Sequence, residues 1–265
     1  MRILRNISFG QYIPRDSLIH NLDPRIKILS CLAIIISLFL ITEYLGYFVL
    51  GSFIIVCIII SKVHPRFVFR GLRPILFIIV FTLIIHLFMT EGKVIYQLGF
   101  LKITQEGLVK GLLISFRLFI LILTTSLLTL ATSPISLTDG IERLLSVFKS
   151  IGMPAHEIAM MMTIALRFIP TLLEETEKIM KAQISRGADF ESGNIFNRAK
   201  NLIPILIPLF VNAFRRADEL AIAMEAKCYR GGEGRTHYRE LKIKKADILI
   251  FTLTLVITIM VSVMF

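Results

Sequence analysis

Along the chain, apolar residues gather in blocks, not in the mixed stripes of a water-soluble helix. Four blocks fill the first half, over about 26–42, 44–61, 74–89 and 108–132, and a fifth closes the chain at 246–265. Each approaches the roughly 20 apolar residues that a helix needs to cross a bilayer. The alternation of a spanning barrel is missing, apart from "FLKIT" at 100–104, which predicts a short hairpin arm.

Between 133 and 245 the pattern changes. "SLTDGIERLLSVFKSIGM" reads as a short amphipathic helix, with Ser136 as its N-cap and a stop near Gly152. Pro154 suits the first turn of a second helix running to about Arg186, and a third runs from about Phe196 to Tyr229. Both long helices begin greasy, in "EIAMMMTIALRFIPTLL" and "LIPILIPLFVNAF". Both end charged, in "EETEKIMKAQISR" and "RRADELAIAMEAK". Pro170, Pro204 and Pro208 predict kinks. A helix that is apolar all round must be buried somewhere, so each of these changes surroundings along its length. The expectation is two crossed helices near the inner membrane surface, with their charged ends in water.

Lysine and arginine between the blocks set the orientation. The N-terminal arm carries Arg2, Arg5, Arg15, Arg25 and Lys27, and the second connection Lys62, Arg66, Arg70 and Arg73. "TEYLGY" between the first two blocks has neither residue, and the loop after the third balances Lys93 and Lys102 with Glu91 and Glu106. The stretch 133–245 holds 17 of the 30 basic residues. The pattern predicts a cytoplasmic N-terminus, four spanning helices in 1–132, a cytoplasmic helical module in 133–245, and a last span in 246–265 ending outside.

Composition agrees. The chain is 55% hydrophobic with a mean hydropathy of +0.75, against about 45–50% apolar for soluble domains. A net charge of +11 would point to nucleic acid in a soluble protein, but no recognition motif accompanies it. Here it reads as attraction to the anionic inner leaflet. Cys31, Cys57 and Cys228 are scattered and form no metal spacing or disulfide framework. The first residues, "MRILRNISFGQYIPRDSL", lack the apolar core of a cleavable signal.

The two long helices end alike, in "MKAQISRGADFESGN" and "MEAKCYRGGEGR". A cation in the last turn is favoured by about 0.3–1 kcal/mol, and a following glycine supplies a left-handed cap. Taken singly, either end could belong to any stable helix. Together, two protruding basic tips are built to enter grooves on another protein and grip a carboxylate there. Snorkelling to lipid phosphate is the alternative, but it does not require two long helices to deliver the charge.

Three stretches, "FGQYIPRDSLIHNLDPRIK", "AQISRGADF" and "RRADELAIAMEAKCYRGGEGRT", resemble the transmembrane coupling subunits of energy-coupling factor (ECF) vitamin transporters, a branch of the ABC transporters. The similarity runs the length of the chain. It implies an all-α, L-shaped integral membrane protein of the prokaryotic cell membrane. About five transmembrane helices are joined to a cytoplasmic coupling module of three helices, two of them long and crossed. The two tips, in Ala-Arg-Gly-like motifs, would dock on two ABC-type ATPase subunits, and the greasy helix faces would cradle a substrate-binding S-component. Ser185-Arg186-Gly187 matches the first motif, with serine for the usual alanine. Ala226-Lys227-Cys228 matches the second, where lysine forfeits the planar fork of arginine; Lys227 is the expected contact, with Arg230 in support. Met161, Met162, Ala165, Phe168 and Ile169 are the expected S-component face, although the methionines would serve equally as core filler. No cofactor is implied, and ATP hydrolysis would belong to the partners.

Other chemistry is thin. "HEIAM" at His156 starts like a zinc-protease motif, but Met160 stands where the second histidine belongs. "RGGEGRT" lacks the Gly-Lys-Ser/Thr ending of a phosphate loop and reads as a return to the last span. Asp23-Pro24-Arg25 reads as a helix start. Arg117, inside the fourth block, is expected to snorkel outward or pair with an acid. A membrane-embedded enzyme would need clustered carboxylates, a serine–lysine pair or metal ligands in the spans, and a self-contained permease would need intramembrane polar groups. The first four blocks carry almost none.

Overall fold

The computed structural model describes residues 12–98, 101–190, 194–231 and 241–265. The basic arm at Arg2 and Arg5, and the return segment past Gly231, lie outside the described residues. Among the described residues, eight α-helices carry the fold: α1 (Pro24–Leu40), α2 (Tyr44–Ile60), α3 (Pro65–Met89), α4 (Gln105–Ala131), α5 (Pro134–Leu145), α6 (Ala155–Ser185), α7 (Ile195–Ala226) and α8 (Lys245–Met264). The expected hairpin is present, with β1 (Val94–Leu98) antiparallel to β2 (Leu101–Thr104). Among the described residues, α3, α4, α6 and α8 are long and apolar enough to cross a membrane, and α2 is a shorter apolar helix. The spans expected at α1 and α2 are thus only 17 residues each, while α6, expected near the inner membrane surface with its charged end in water, also meets the length and composition of a span.

Two compact units divide within α5, between Gly140 and Ile141. One holds α1–α4 and α8, and its core is formed by Leu38, Leu50, Ile54, Leu72, Leu130 and Val261. In it α1 and α8 run side by side in the same direction. Asp23 N–H donates to Asp247 Oδ1 (3.0 Å) at their starts, Ser37 Oγ to the Thr258 carbonyl (3.2 Å) midway, and Thr42 N–H to the Phe265 carbonyl (3.0 Å) at their ends. The α3–α4 pair closes on Gly107, where a Cβ would stand 2.6 Å from the His86 carbonyl oxygen. Small residues serve such close helix approaches in membranes.

Asp-Pro-Arg is a helix start, as its sequence suggests. Asp23 caps α1 by accepting from Arg25 N–H (2.9 Å), and Pro24 takes the first helical position. The Arg25 guanidinium grips the same carboxylate through Nε (3.0 Å) and Nη2 (2.7 Å), and also reaches the Leu241 carbonyl (3.1 Å). Burial pushes the Asp23 carboxyl pKa up, but these bonds from Arg25 outweigh it and hold the group below the usual carboxylate range. Lys27, also buried, donates to the carbonyls of His20 (2.9 Å) and Ala131 (3.0 Å), which places a cation on the C-terminal end of α4.

Two expectations need correction. Ser136 does not cap α5; Ser133 Oγ accepts from Ser136 N–H (3.1 Å), because Pro134 with its fixed φ already opens the first turn. A 3₁₀ segment over Ser146–Ile151 follows α5 and stops at Gly152, φ +86°. Of the two outcomes expected for Arg117, pairing with an acid is absent among the described residues; it reaches the α1–α2 connection, donating to the Tyr47 hydroxyl (2.6 and 3.0 Å) and the Ile41 carbonyl (3.3 Å), and lies over the Phe39 and Tyr47 rings. A phenol, a carbonyl and two ring faces satisfy the guanidinium without a second charge.

Candidate functional site: two capped helix tips

The second unit contains α6 and α7, and each ends in the same hydrogen-bonded cap. At the end of α6, Gly187 N–H donates to the Ile184 carbonyl (2.9 Å) and Ala188 N–H to the Gln183 carbonyl (3.0 Å). At the end of α7, Cys228 N–H donates to the Glu225 carbonyl (2.8 Å) and Tyr229 N–H to the Met224 carbonyl (3.0 Å). Both are Schellman motifs, whose third residue from the end and two following ones close the orphan carbonyls. The αL residue is Gly187 (φ +86°) in one and Cys228 (φ +56°) in the other. A left-handed residue other than glycine costs roughly 1–2 kcal/mol.

The caps align the two motifs residue for residue. Ser185 and Ala226 end their helices, Arg186 and Lys227 take the capping position, and Gly187 and Cys228 take the left-handed turn. All six are exposed, as is Arg230. Arg230 lies beyond the cap, so Lys227 is the positional equivalent of Arg186.

Two contacts that the sequence did not disclose hold the helices to one another. Arg216 of α7 pairs with Glu175 of α6, both partly buried. At the start of α6, His156 Nε2 lies 3.1 Å from the Tyr229 hydroxyl, immediately past the second cap. Moving forward along α6 from His156 to Glu175 means moving back along α7 from Tyr229 to Arg216, so the two helices run in opposite senses. Arg186 stands eleven positions after Glu175, and Lys227 eleven positions after Arg216. The two tips therefore stand in matching positions on either side of one ion pair. At 1.5 Å per residue they are up to about 33 Å apart along the helix axes.

The apolar faces of this pair have little to cover them. Among the described residues of 141–231, only Ala155, Ala159 and Ile205 are buried. On α6, Met161 and Ala165 are exposed and Met162, Phe168 and Ile169 half-buried, so the five expected residues offer a mixed surface. The broader apolar stripe is on α7, where Ile203, Ile207, Phe210 and Phe214 recur at spacings of four, three and four and are all exposed. The helical period of "LIPILIPLFVNAF" was the available signal for it. Among the described residues, no group of three or more His, Cys, Asp or Glu could hold a metal ion.

Such a chain is a multi-pass membrane protein with exposed cations on two capped helix tips and exposed apolar helix faces. Comparison with known proteins makes that class specific. The family model described as CbiQ, cobalt transport protein, matches residues 15–238. The chain is 57% identical over 251 residues, covering 95% of each chain, to the energy-coupling factor transporter transmembrane protein EcfT of Thermosediminibacter oceani. It is 56% identical over 254 residues to that of Ruminiclostridium cellulolyticum, covering 96% of this chain and 95% of the relative. To that of Bacillus subtilis it is 50% identical over 240 residues, covering 90% and 91%. The chain belongs to the CbiQ family, as an EcfT-type transmembrane component of an energy-coupling factor transporter. It is a non-catalytic transporter subunit.

Proposed function

We propose that this subunit transmits ATP-driven motion from two ABC-type ATPase subunits, through α6 and α7, to a substrate-binding S-component that takes up vitamins or related micronutrients. The observation that carries the reading is the matched pair of tips: identical caps, each with an exposed cation, at equal distances from the Glu175–Arg216 ion pair. Two like positions suit two like partners, and a cation at a protruding helix end suits a carboxylate in a groove. The exposed stripe of α7, with Met161 and Ala165 of α6, supplies apolar surface for the S-component.

In this reading α1–α4 and α8 cross the bilayer, and α6 and α7 belong to the cytoplasmic side. The shared direction of α1 and α8 supports an odd number of crossings, and the basic residues of the N-terminal arm and of 133–245 support a cytoplasmic location for both. The test is affinity capture in mild detergent. Arg186→Glu is expected to lose ATPase subunits while the chain still inserts and retains its S-component. Wild-type recovery of both ATPases with this variant would overturn the reading.

A further inference from the structure

The second tip is not left to its cap alone. Four side chains from three segments meet beside it: Glu142 of α5, His156 and Met160 of α6, and Tyr229 just past α7. His156 Nδ1 is 2.9 Å from Glu142 Oε1, Nε2 is 3.1 Å from the Tyr229 hydroxyl, and that hydroxyl is 2.9 Å from Met160 Sδ. His156 and Glu142 are largely buried, with side chains 22% and 15% exposed. Lys227, two residues before Tyr229, stays exposed.

The chemistry fixes the ring. A carboxylate only accepts, so Glu142 orients Nδ1 as the donor. In the neutral ring Nε2 then accepts from the Tyr229 hydroxyl. In the imidazolium it donates to the Tyr229 oxygen, whose proton turns to Met160 Sδ. The tyrosine oxygen is held in either protonation state. Tyr229 N–H is also the outermost bond of the cap, to the Met224 carbonyl at 3.0 Å. Whatever fixes the Tyr229 ring therefore fixes the turn that presents Lys227.

We propose that His156 is the positioning residue of the second tip: oriented by Glu142 and acting through Tyr229, it locks the Lys227 cap to the start of α6. Both tips then move with α6 as one lever, because the first tip is the other end of that helix. Without the lock, α7 ends in a loose turn that yields when a partner pushes on it. The mechanical part of this inference rests on the coupling role proposed above; the geometric part does not.

The experiment separates the two. Spin labels are placed on the native Cys228 and on Glu157→Cys, in full-length chain with Cys31→Ala and Cys57→Ala, and distances are measured in lipid nanodiscs. The wild type is expected to give one narrow distribution. His156→Ala and Tyr229→Phe are expected to broaden it, and His156→Gln, whose amide reaches the place of Nε2, to restore it. Tyr229→Phe removes one oxygen and keeps the ring, so it guards against mere misfolding. Wild-type width in His156→Ala or Tyr229→Phe, or no rescue by glutamine, overturns the lock. In the assembled transporter, the broadened variants should keep both ATPases but take up about tenfold less substrate per ATP, the order of one ordinary hydrogen bond. Unchanged uptake per ATP overturns the lever while the distances still decide the lock. Failure of the coupling role itself would show separately, in an Arg186→Glu variant that retains its ATPases.

Discussion

The two tips share their backbone and differ in what hangs from it. Each closes with the same pair of hydrogen bonds and turns through a left-handed residue. One carries arginine before glycine, the other lysine before cysteine. Their anchoring differs as well. The loop after Arg186 is tied to α7, where Asn201 Nδ2 donates to the Asp189 carbonyl (2.6 Å). The segment after Lys227 is tied to α6, through Tyr229 and His156. Backbone hydrogen bonding thus dictates the shape of a helix end, while side chains decide how firmly it is held and what it can grip. Two ends can be geometric copies without being equal.

Removing each cation should expose the largest inequality. An arginine offers a planar fork to a carboxylate, and a lysine offers a point charge. Arg186→Ala is expected to weaken ATPase binding about 100-fold and Lys227→Ala about tenfold, the span of strong and modest interface truncations. Binding of purified ATPase to nanodisc-held chain measures both. Equal losses would mean that the tips are gripped identically despite their chemistry. A next, smaller effect sharpens the point: Lys227→Arg restores the fork and should tighten binding about fivefold at the second tip, a gain of the order of one hydrogen bond. No gain would mean that the partner's groove at that tip is shaped for lysine.

How far the sequence could see is clearest at these ends. Gly187 announced its turn by residue type, and the αL conformation followed. Cys228 did not, because cysteine has no preference for a left-handed turn; only the family resemblance pointed to it, while the residues alone put the helix end near Tyr229, before the glycines. The apolar blocks were legible to within two or three residues in four of five cases, the first appearing as Pro24–Leu40 and the last as Lys245–Met264. The exception is α3. Arg66, Arg70 and Arg73 looked like a connection, yet α3 begins at Pro65 and carries all three on exposed positions. Pro65 itself, a first-turn proline, was the usable signal. Pairings across the chain were not legible at all. Glu175 meets Arg216 from 41 residues away, Arg117 meets Tyr47 from 70, and His156 meets Tyr229 from 73. Helical periodicity describes one helix face at a time, so it cannot say which faces meet. His156 could be read as a helix-start or interfacial residue, but its partners Glu142 and Tyr229 could not be named.

The smallest effect is also the cleanest comparison of the two caps, because it changes no charge. At Gly187 an added Cβ would meet nothing within 4 Å, so Gly187→Ala introduces only the conformational penalty of the left-handed turn. Cys228→Gly removes that same penalty at the other tip. Each is worth about 1 kcal/mol, with opposite sign. Hydrogen exchange reads this directly on the cap amides: Ala188 N–H should exchange about fivefold faster in Gly187→Ala, and Tyr229 N–H about fivefold slower in Cys228→Gly. Equal and opposite shifts would mean that both ends are governed by the cap alone. A smaller gain at Tyr229 is expected if the His156 contact already suppresses fraying there, and combining Cys228→Gly with His156→Ala should then recover the full fivefold difference against His156→Ala alone. Should the gain stay full with His156 intact, the second tip would owe its order to its backbone and the histidine contact would add nothing to it.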